Sequence, residues 1–264
     1  MIRRRRPERT EPIPVSEAEI AAKTADLDDA HRDAMAVLQD TLSEMRDAKA
    51  SRRAFLIGSG AVVGGVALAA SGTGGLAHAA AASLSRAGMS TATKGQKLTG
   101  DLAVVALAAS LENLAVGTYQ AGIDAATAGK LGAVPPAVVT FAQTAQRQHK
   151  DHAAAWNGVL TGAGKDAVSG VDLTVKKSVD AAFAQVKDVP GLAKLALELE
   201  NGAAATYLAA IDGVKSTDGI KVAATIQPVE MQHAAILNFL LGQYPVPDTF
   251  AKLDGARTTK DKIG

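Results

Sequence analysis

The chain has 264 residues, room for one medium domain or two small ones, and its 47% hydrophobic content is enough to build a core. With 28 Lys/Arg against 27 Asp/Glu the formal charge is +1, and residues 80–264 hold seventeen cations against sixteen anions, which excludes a concentrated basic footprint for nucleic acid in that part. The absence of cysteine excludes disulfide staples and thiolate metal sites, while 3% aromatics among abundant Ala and 25 Gly favours closely approaching helices and an all-α protein.

The chain opens with Arg3, Arg4, Arg5 and Arg6, a cluster suited to holding that end on the cytoplasmic side of a membrane. Residues 1–50 read as an N-terminal extension. Within it, residues 16–50 space Ile20, Leu27, Ala34, Met35, Leu38, Leu42 and Met45 at helical intervals with charges between, which predicts a short amphipathic helix. That helix either binds a partner or solubilises the apolar leader beyond it. His31 stands alone among charges and is expected at the surface.

Residues 51–79, SRRAFLIGSGAVVGGVALAASGTGGLAHA, place two arginines before a Phe-Leu pair and a Gly/Ala/Val-rich apolar run that ends in small residues. Ala77-His78-Ala79 has the small-x-small form for a cut after Ala79, with His78 a bystander. The segment resembles a twin-arginine export signal with Arg52 and Arg53 as the pair. That resemblance implies the twin-arginine export machinery as a partner and an exported protein of the periplasm or cell envelope. The alternative is a retained anchor: from Ala54 to Ala77 no residue is charged, so an uncleaved leader would be the chain's one membrane contact.

The body, residues 98–242, turns helical. Long helices are predicted over 99–128, 136–160, 192–214 and 220–241, with Pro136 in a first turn, Thr217 or Asp218 capping the last, and a bend at Pro228. A shorter helix over 173–188, interrupted at Pro190, would carry the chain from one helix pair to the other, and residues 243–264 form a C-terminal tail. LENLAVGTYQAGIDA at 111–125 returns as LENGAAATYLAAIDG at 199–213, nine of fifteen positions identical at an offset of 88. Two helix pairs, each with one copy of this repeat, predict a four-helix bundle with approximate internal two-fold symmetry.

The repeat sets Glu112 and Glu200 in Ala- and Leu-rich surroundings, where an unpaired carboxylate would be costly. The second and fourth helices offer partners: Gln146, His149 and His152 on one, Glu230 and His233 on the other, each step three residues and so on one helical face. Carboxylates neutralise hard cations and imidazoles occupy terminal positions, so this is a metal-site constellation. Tyr119 and Tyr207 follow their glutamates by seven residues, again on the same face; beside the ligands, core packing is their expected role, with a phenolic hydrogen bond into the network or an oxidisable neighbour as the alternatives. Asn113 and Asn201 turn away and suit interhelical hydrogen bonds.

The segment from about 98 to 242 resembles a bacterial ferritin-like domain of the exported type. That family's ligands are a Glu on the first helix, Glu-x-x-His on the second, a Glu on the third and Glu-x-x-His on the fourth. Glu112, His149, Glu200, Glu230 and His233 match it, but Gln146 stands where the second helix's Glu is expected. The resemblance implies two irons and oxidation of Fe(II) by dioxygen or peroxide. The amide at 146 leaves a mononuclear site, an asymmetric dinuclear site with His152 as an added nitrogen donor, or a site for zinc or manganese as alternatives.

Two functions are compatible with these residues. One is a ferritin-like metal-binding protein of the cell envelope, with weak redox chemistry at an asymmetric site; assembly into a homo-oligomer is compatible with it, and cage storage is disfavoured by the lack of a separate acidic nucleating patch. The other is a non-enzymatic, stress-associated or envelope interaction module with no metal in its polar core. Convergence of the five family-matched side chains on one centre favours the first.

Overall fold

The computed structural model describes residues 15–58, 98–257 and 259. The expected cleavage positions at 77–79 lie outside these residues. Six helices follow in order: α1 (Glu17–Gly58), α2 (Asp101–Thr127), α3 (Pro136–Gly162), α4 (Leu173–Phe183), α5 (Val189–Gly213) and α6 (Thr217–Leu240). No β-strand forms among the described residues.

Helices α2 and α3 pack as one intimate pair and α5 and α6 as the other, with lighter contact along α2/α5 and α3/α6. The Asp101 carboxylate accepts the backbone N–H groups of Lys215 and Ser216 at 3.1 and 2.7 Å, which sets the start of α2 beside the end of α5. Ala137 and Phe239 share a cluster, so the start of α3 lies beside the end of α6. Each repeat-bearing helix is thus antiparallel to its counterpart, and residues 163–188, carrying α4, must run the length of the bundle. Asn113 ties this crossover down by donating to the Val168 and Gly170 carbonyls at 3.1 and 3.0 Å. Its repeat partner Asn201 is exposed.

Helix starts follow local chemistry. Ser16 and Glu19 exchange bonds across the first turn of α1, Glu19 N–H to Ser16 Oγ at 3.2 Å and Ser16 N–H to Glu19 Oε2 at 3.3 Å, a capping box. Asp172 caps α4 and Asp188 caps α5. Pro190 falls in the first turn of α5, where a missing N–H costs nothing, so that helix starts ahead of the expected 192. The cap of α6 is Ser216, one residue before the two candidates, because its extended backbone lets the hydroxyl accept from Gly219 N–H. Helix α6 continues through Pro228. Helix α2 is long and apolar enough to cross a membrane, but its Val105, Leu107 and Leu114 are buried inside the protein.

The stretch set apart as an extension is, from residue 15 as far as Ser43, packed with the bundle, and the rest of α1 from Glu44 falls in a separate unit. On α1, Ile20, Thr24, Leu27, His31, Met35 and Leu38 are all buried, an unbroken stripe at steps of three and four. Leu38 and Met35 join the cluster of Trp156, Leu160 and Ile226, Leu27 joins that of Phe141 and Leu237, and Ile20 that of Ala137 and Phe239. Each such apolar side chain contributes about 1.5–3 kcal/mol on burial. Glu17 adds a polar tie, accepting Ala137 N–H at the start of α3 at 3.2 Å. His31 is therefore not at the surface but 3% exposed.

Candidate metal centre

Glu112, His149, Glu200 and Glu230 sit near the midpoints of α2, α3, α5 and α6, and antiparallel packing brings these midpoints to one level. Three-residue steps add His152 after His149 and His233 after Glu230. Six side chains converge, none more than 2% exposed. They form two overlapping groups, Glu112/His149/His152/Glu230 and His149/Glu200/Glu230/His233, each with its donor atoms within 4.8 Å of one another.

Glu230 is central. Its Oε1 lies 3.0 Å from His152 Nδ1 and 3.9 Å from His149 Nδ1, and its Oε2 3.5 Å from His233 Nδ1. Yet neither oxygen has a hydrogen-bond partner of acceptable geometry, although both are fully buried. The other glutamates are better served. His149 Nδ1 stands 2.7 Å from Glu112 Oε2 and its Nε2 3.3 Å from Glu200 Oε1, while His233 Nδ1 is 3.2 Å from Glu200 Oε2. The tyrosines cross over: Tyr119 donates to Glu200 and Tyr207 to Glu112, each repeat supplying the phenol for the other's carboxylate. Trp156 Nε1–H in turn donates to the Tyr207 oxygen at 3.3 Å.

Gln146 is not in either group. Its amide nitrogen donates to the Val116 carbonyl at 3.2 Å and Gln120 Oε1 at 2.8 Å, and its oxygen accepts from Lys150 at 3.3 Å. The first group is completed by His152 instead.

The charges are mutually tuned. Burial alone would raise the Glu112 carboxyl, but the facing His152 charge and the bond from His149 outweigh it and hold the group down at about 2. Glu200 is likewise held well below the usual range, burial being outweighed by His233 and His149. Burial would depress the imidazoles, but Glu112 pushes His152 up to about 9, Glu230 and Glu200 push His149 well up, and Glu200 raises His233. Burial and the facing carboxylates raise both tyrosines, so they stay hydroxyl donors.

A cavity of about 490 Å³ among α2, α3 and α5 reaches this cluster at Glu112, His149 and Glu200; Leu114, Ile123, Val138 and Leu192 are among its apolar walls. Gly122 lies where the helices come close, since a Cβ there would meet Leu192 Cδ2 at 3.0 Å.

Two groups outside the expected set adjoin the centre. His233 Nε2 lies 2.8 Å from Gln148 Oε1, and the His31 ring packs against that of His152 with centroids 5.1 Å apart. His31, expected at the surface, falls between Leu27 and Met35 on the apolar stripe of α1, the signal that could have found it; Gln148 carried no signal, because its role depends on how α1 and α6 meet α3.

Two antiparallel helix pairs with a lengthwise crossover and an inner cluster of carboxylates and imidazoles define a ferritin-like four-helix bundle, a fold able to hold metal ions. The chain belongs to the ferritin-like domain family, whose sequence profile matches residues 100–243. No curated protein and no solved structure matches it.

Proposed function

We propose that this chain is an exported ferritin-like protein that binds up to two divalent metal ions, iron foremost, at an asymmetric centre. The observation carrying this reading is Glu230: a carboxylate at 0% exposure, flanked by three imidazoles and accepting no hydrogen bond, is costly unless a cation satisfies it. Glu112, His149, His152 and Glu230 would hold one ion, and His149, Glu200, Glu230 and His233 the other. Glu230 and His149 belong to both groups, so Glu230 would be the carboxylate shared between two ions and His149 would serve one of them. Zinc or manganese suits the same nitrogen and oxygen donors.

Bound Fe(II) would supply the electrons for reducing dioxygen or peroxide. This chain's part is to orient the donors, to keep Tyr119 and Tyr207 protonated beside Glu200 and Glu112, and to offer small apolar reactants the cavity that reaches Glu112 and Glu200. Gln146 removes a negative charge from the family pattern, so slow oxidation is expected. Export rests on the Arg52-Arg53 leader.

A second reading, a metal-free polar core, is favoured by the direct His149–Glu112 and His233–Glu200 contacts at 2.7 and 3.2 Å, which already pair charge with charge. Metal analysis of the gently purified chain, before and after reconstitution with Fe(II), Zn(II) or Mn(II), separates the two. We expect stoichiometric metal, at least half of it lost in Glu230→Ala, and Gln146→Glu to quicken Fe(II) oxidation with unchanged stoichiometry. No metal under any of these conditions would leave the polar core as the function of these residues.

A further inference from the structure

Helix α1 lies outside the four-helix bundle, yet His31 on it packs against the His152 ring, and Asp28 reaches His233 through the Gln148 amide. Asp28 and His31 are three residues apart on one face of α1. We propose that both are positioning residues for the metal centre, Asp28 acting on His233 through Gln148 and His31 acting directly on His152. This rests on the metal-binding reading above.

For His233, the 2.8 Å neighbour of Nε2 is an amide oxygen, which only accepts. Nε2 therefore carries the proton when the ring is neutral, and Nδ1 presents its lone pair towards Glu200 and Glu230. That outcome depends on which end of the Gln148 amide faces the ring. Gln148 Nε2 donates to Asp28 Oδ1 at 3.4 Å, and Asp28 is held as an anion by Arg147 at 2.6 Å and Arg32 at 3.8 Å. An anion can accept but not donate, so Asp28 turns the amide's NH₂ towards itself and its oxygen towards His233. Without Asp28 the amide is free to flip, and the proton of His233 moves to Nδ1, where it blocks the metal.

The second arm has the same logic. His152 Nδ1 faces Glu230 and Glu112 at 3.0 and 3.6 Å, while its Nε2 is buried with no partner. Against this ring α1 sets His31, whose Nε2 lies 3.3 Å from the Asp151 carboxylate and whose Nδ1 is also buried and unpartnered. Asp151 draws the proton of His31 to Nε2, which leaves Nδ1 as an acceptor. The two atoms are not bonded in this structure, but the rings are in contact, and a small ring rotation that paired Nδ1 with His152 Nε2–H would satisfy both and keep His152 Nδ1 bare for the metal.

The test uses the full chain with Co(II) as the probe, reading the visible absorption of the bound ion, its affinity by competition, and Tm and circular dichroism for folding. Asp28→Ala and His31→Phe are expected to change the Co(II) spectrum and weaken binding about 10-fold or more. Asp28→Asn, which can donate as well as accept and so no longer fixes the Gln148 amide, is expected to change the spectrum in the same direction. Ile20→Ala removes packing at the far end of α1, and is expected to lower Tm without touching the spectrum. The inference fails if folded His31→Phe and Asp28→Ala both give the native spectrum and affinity, or if Ile20→Ala shifts the spectrum as they do. Should Asp28→Ala not fold, His31→Phe alone decides. A native chain that takes up no Co(II) instead overturns the metal reading itself, and the inference with it.

Discussion

His152 and Glu112 set the pH behaviour of the metal-free chain. His152 has its pKa raised from 6.5 to about 9, so its stabilising contribution is complete below about 6.5 and is lost as pH rises through about 9. Glu112 has its pKa lowered from 4.5 to about 2, so its contribution is complete above about 4.5 and is lost as pH falls towards 2. With a chelator present, the urea midpoint should therefore be highest between about pH 4.5 and 6.5 and fall towards pH 9. Metal reverses the alkaline side, because ligands must be bare to bind it: the gain in Tm on adding Zn(II) should grow from pH 6 to pH 8. Equal gains at both values would mean that the histidines are not ligands. Glu112 and Glu200 were legible in the sequence, because duplication and apolar surroundings each singled them out. Gln146 was legible only as an anomaly: the sequence did not tell that its amide turns to Val116 and Gln120. That orientation comes from the packing of α3 on α2.

At the scale of elements, periodicity located the long helices closely, since an Ala- and Leu-rich run with a buried face has few alternatives. Their starts were harder. Ser216, Thr217 and Asp218 can all cap by side-chain chemistry, and the extended backbone at Ser216, φ −69° and ψ 121°, selects it. The crossover depends on caps more than the long helices do. Asp172 is fully buried and accepts the N–H groups of Thr174 and Val175 at 2.8 and 3.0 Å, anchoring an α4 whose one fully buried residue is Val179. Asp172→Ala should destabilise by about 1–2 kcal/mol in urea unfolding, and hydrogen exchange should quicken in α4 while α2 and α3 stay protected. Uniform loss of protection would show that α4 does not open independently. Helix α1 was legible as an amphipathic helix, but nothing in its own spacing said that its apolar stripe faces this bundle.

At the scale of the molecule, the part of the chain ahead of Arg52 and Arg53 contributes core through Ile20, Leu27, Met35 and Leu38. A cut after Ala79 would leave α1 attached only by packing and by polar ties such as Asp28–Arg147 and Glu17–Ala137. If a protease site is placed there and the folded chain is cut in mild detergent, residues 1–79 should co-elute with 80–264 on size exclusion. Separation would mean that this packing does not outlast the covalent link.

The duplication shaped the bundle in a way the crossed tyrosines make explicit. Because Tyr119 serves Glu200 and Tyr207 serves Glu112, neither half can satisfy its own glutamate with its own phenol. A free half-chain could reach this arrangement only by meeting a copy of itself across a two-fold axis, and every donor would then occur twice. Tandem fusion lifts that obligation. One half carries Gln146 and His152, while the other has Glu230 and Ile236 at the equivalent positions. The fused chain is the smallest unit in which a two-fold scaffold can hold a centre whose two ends differ.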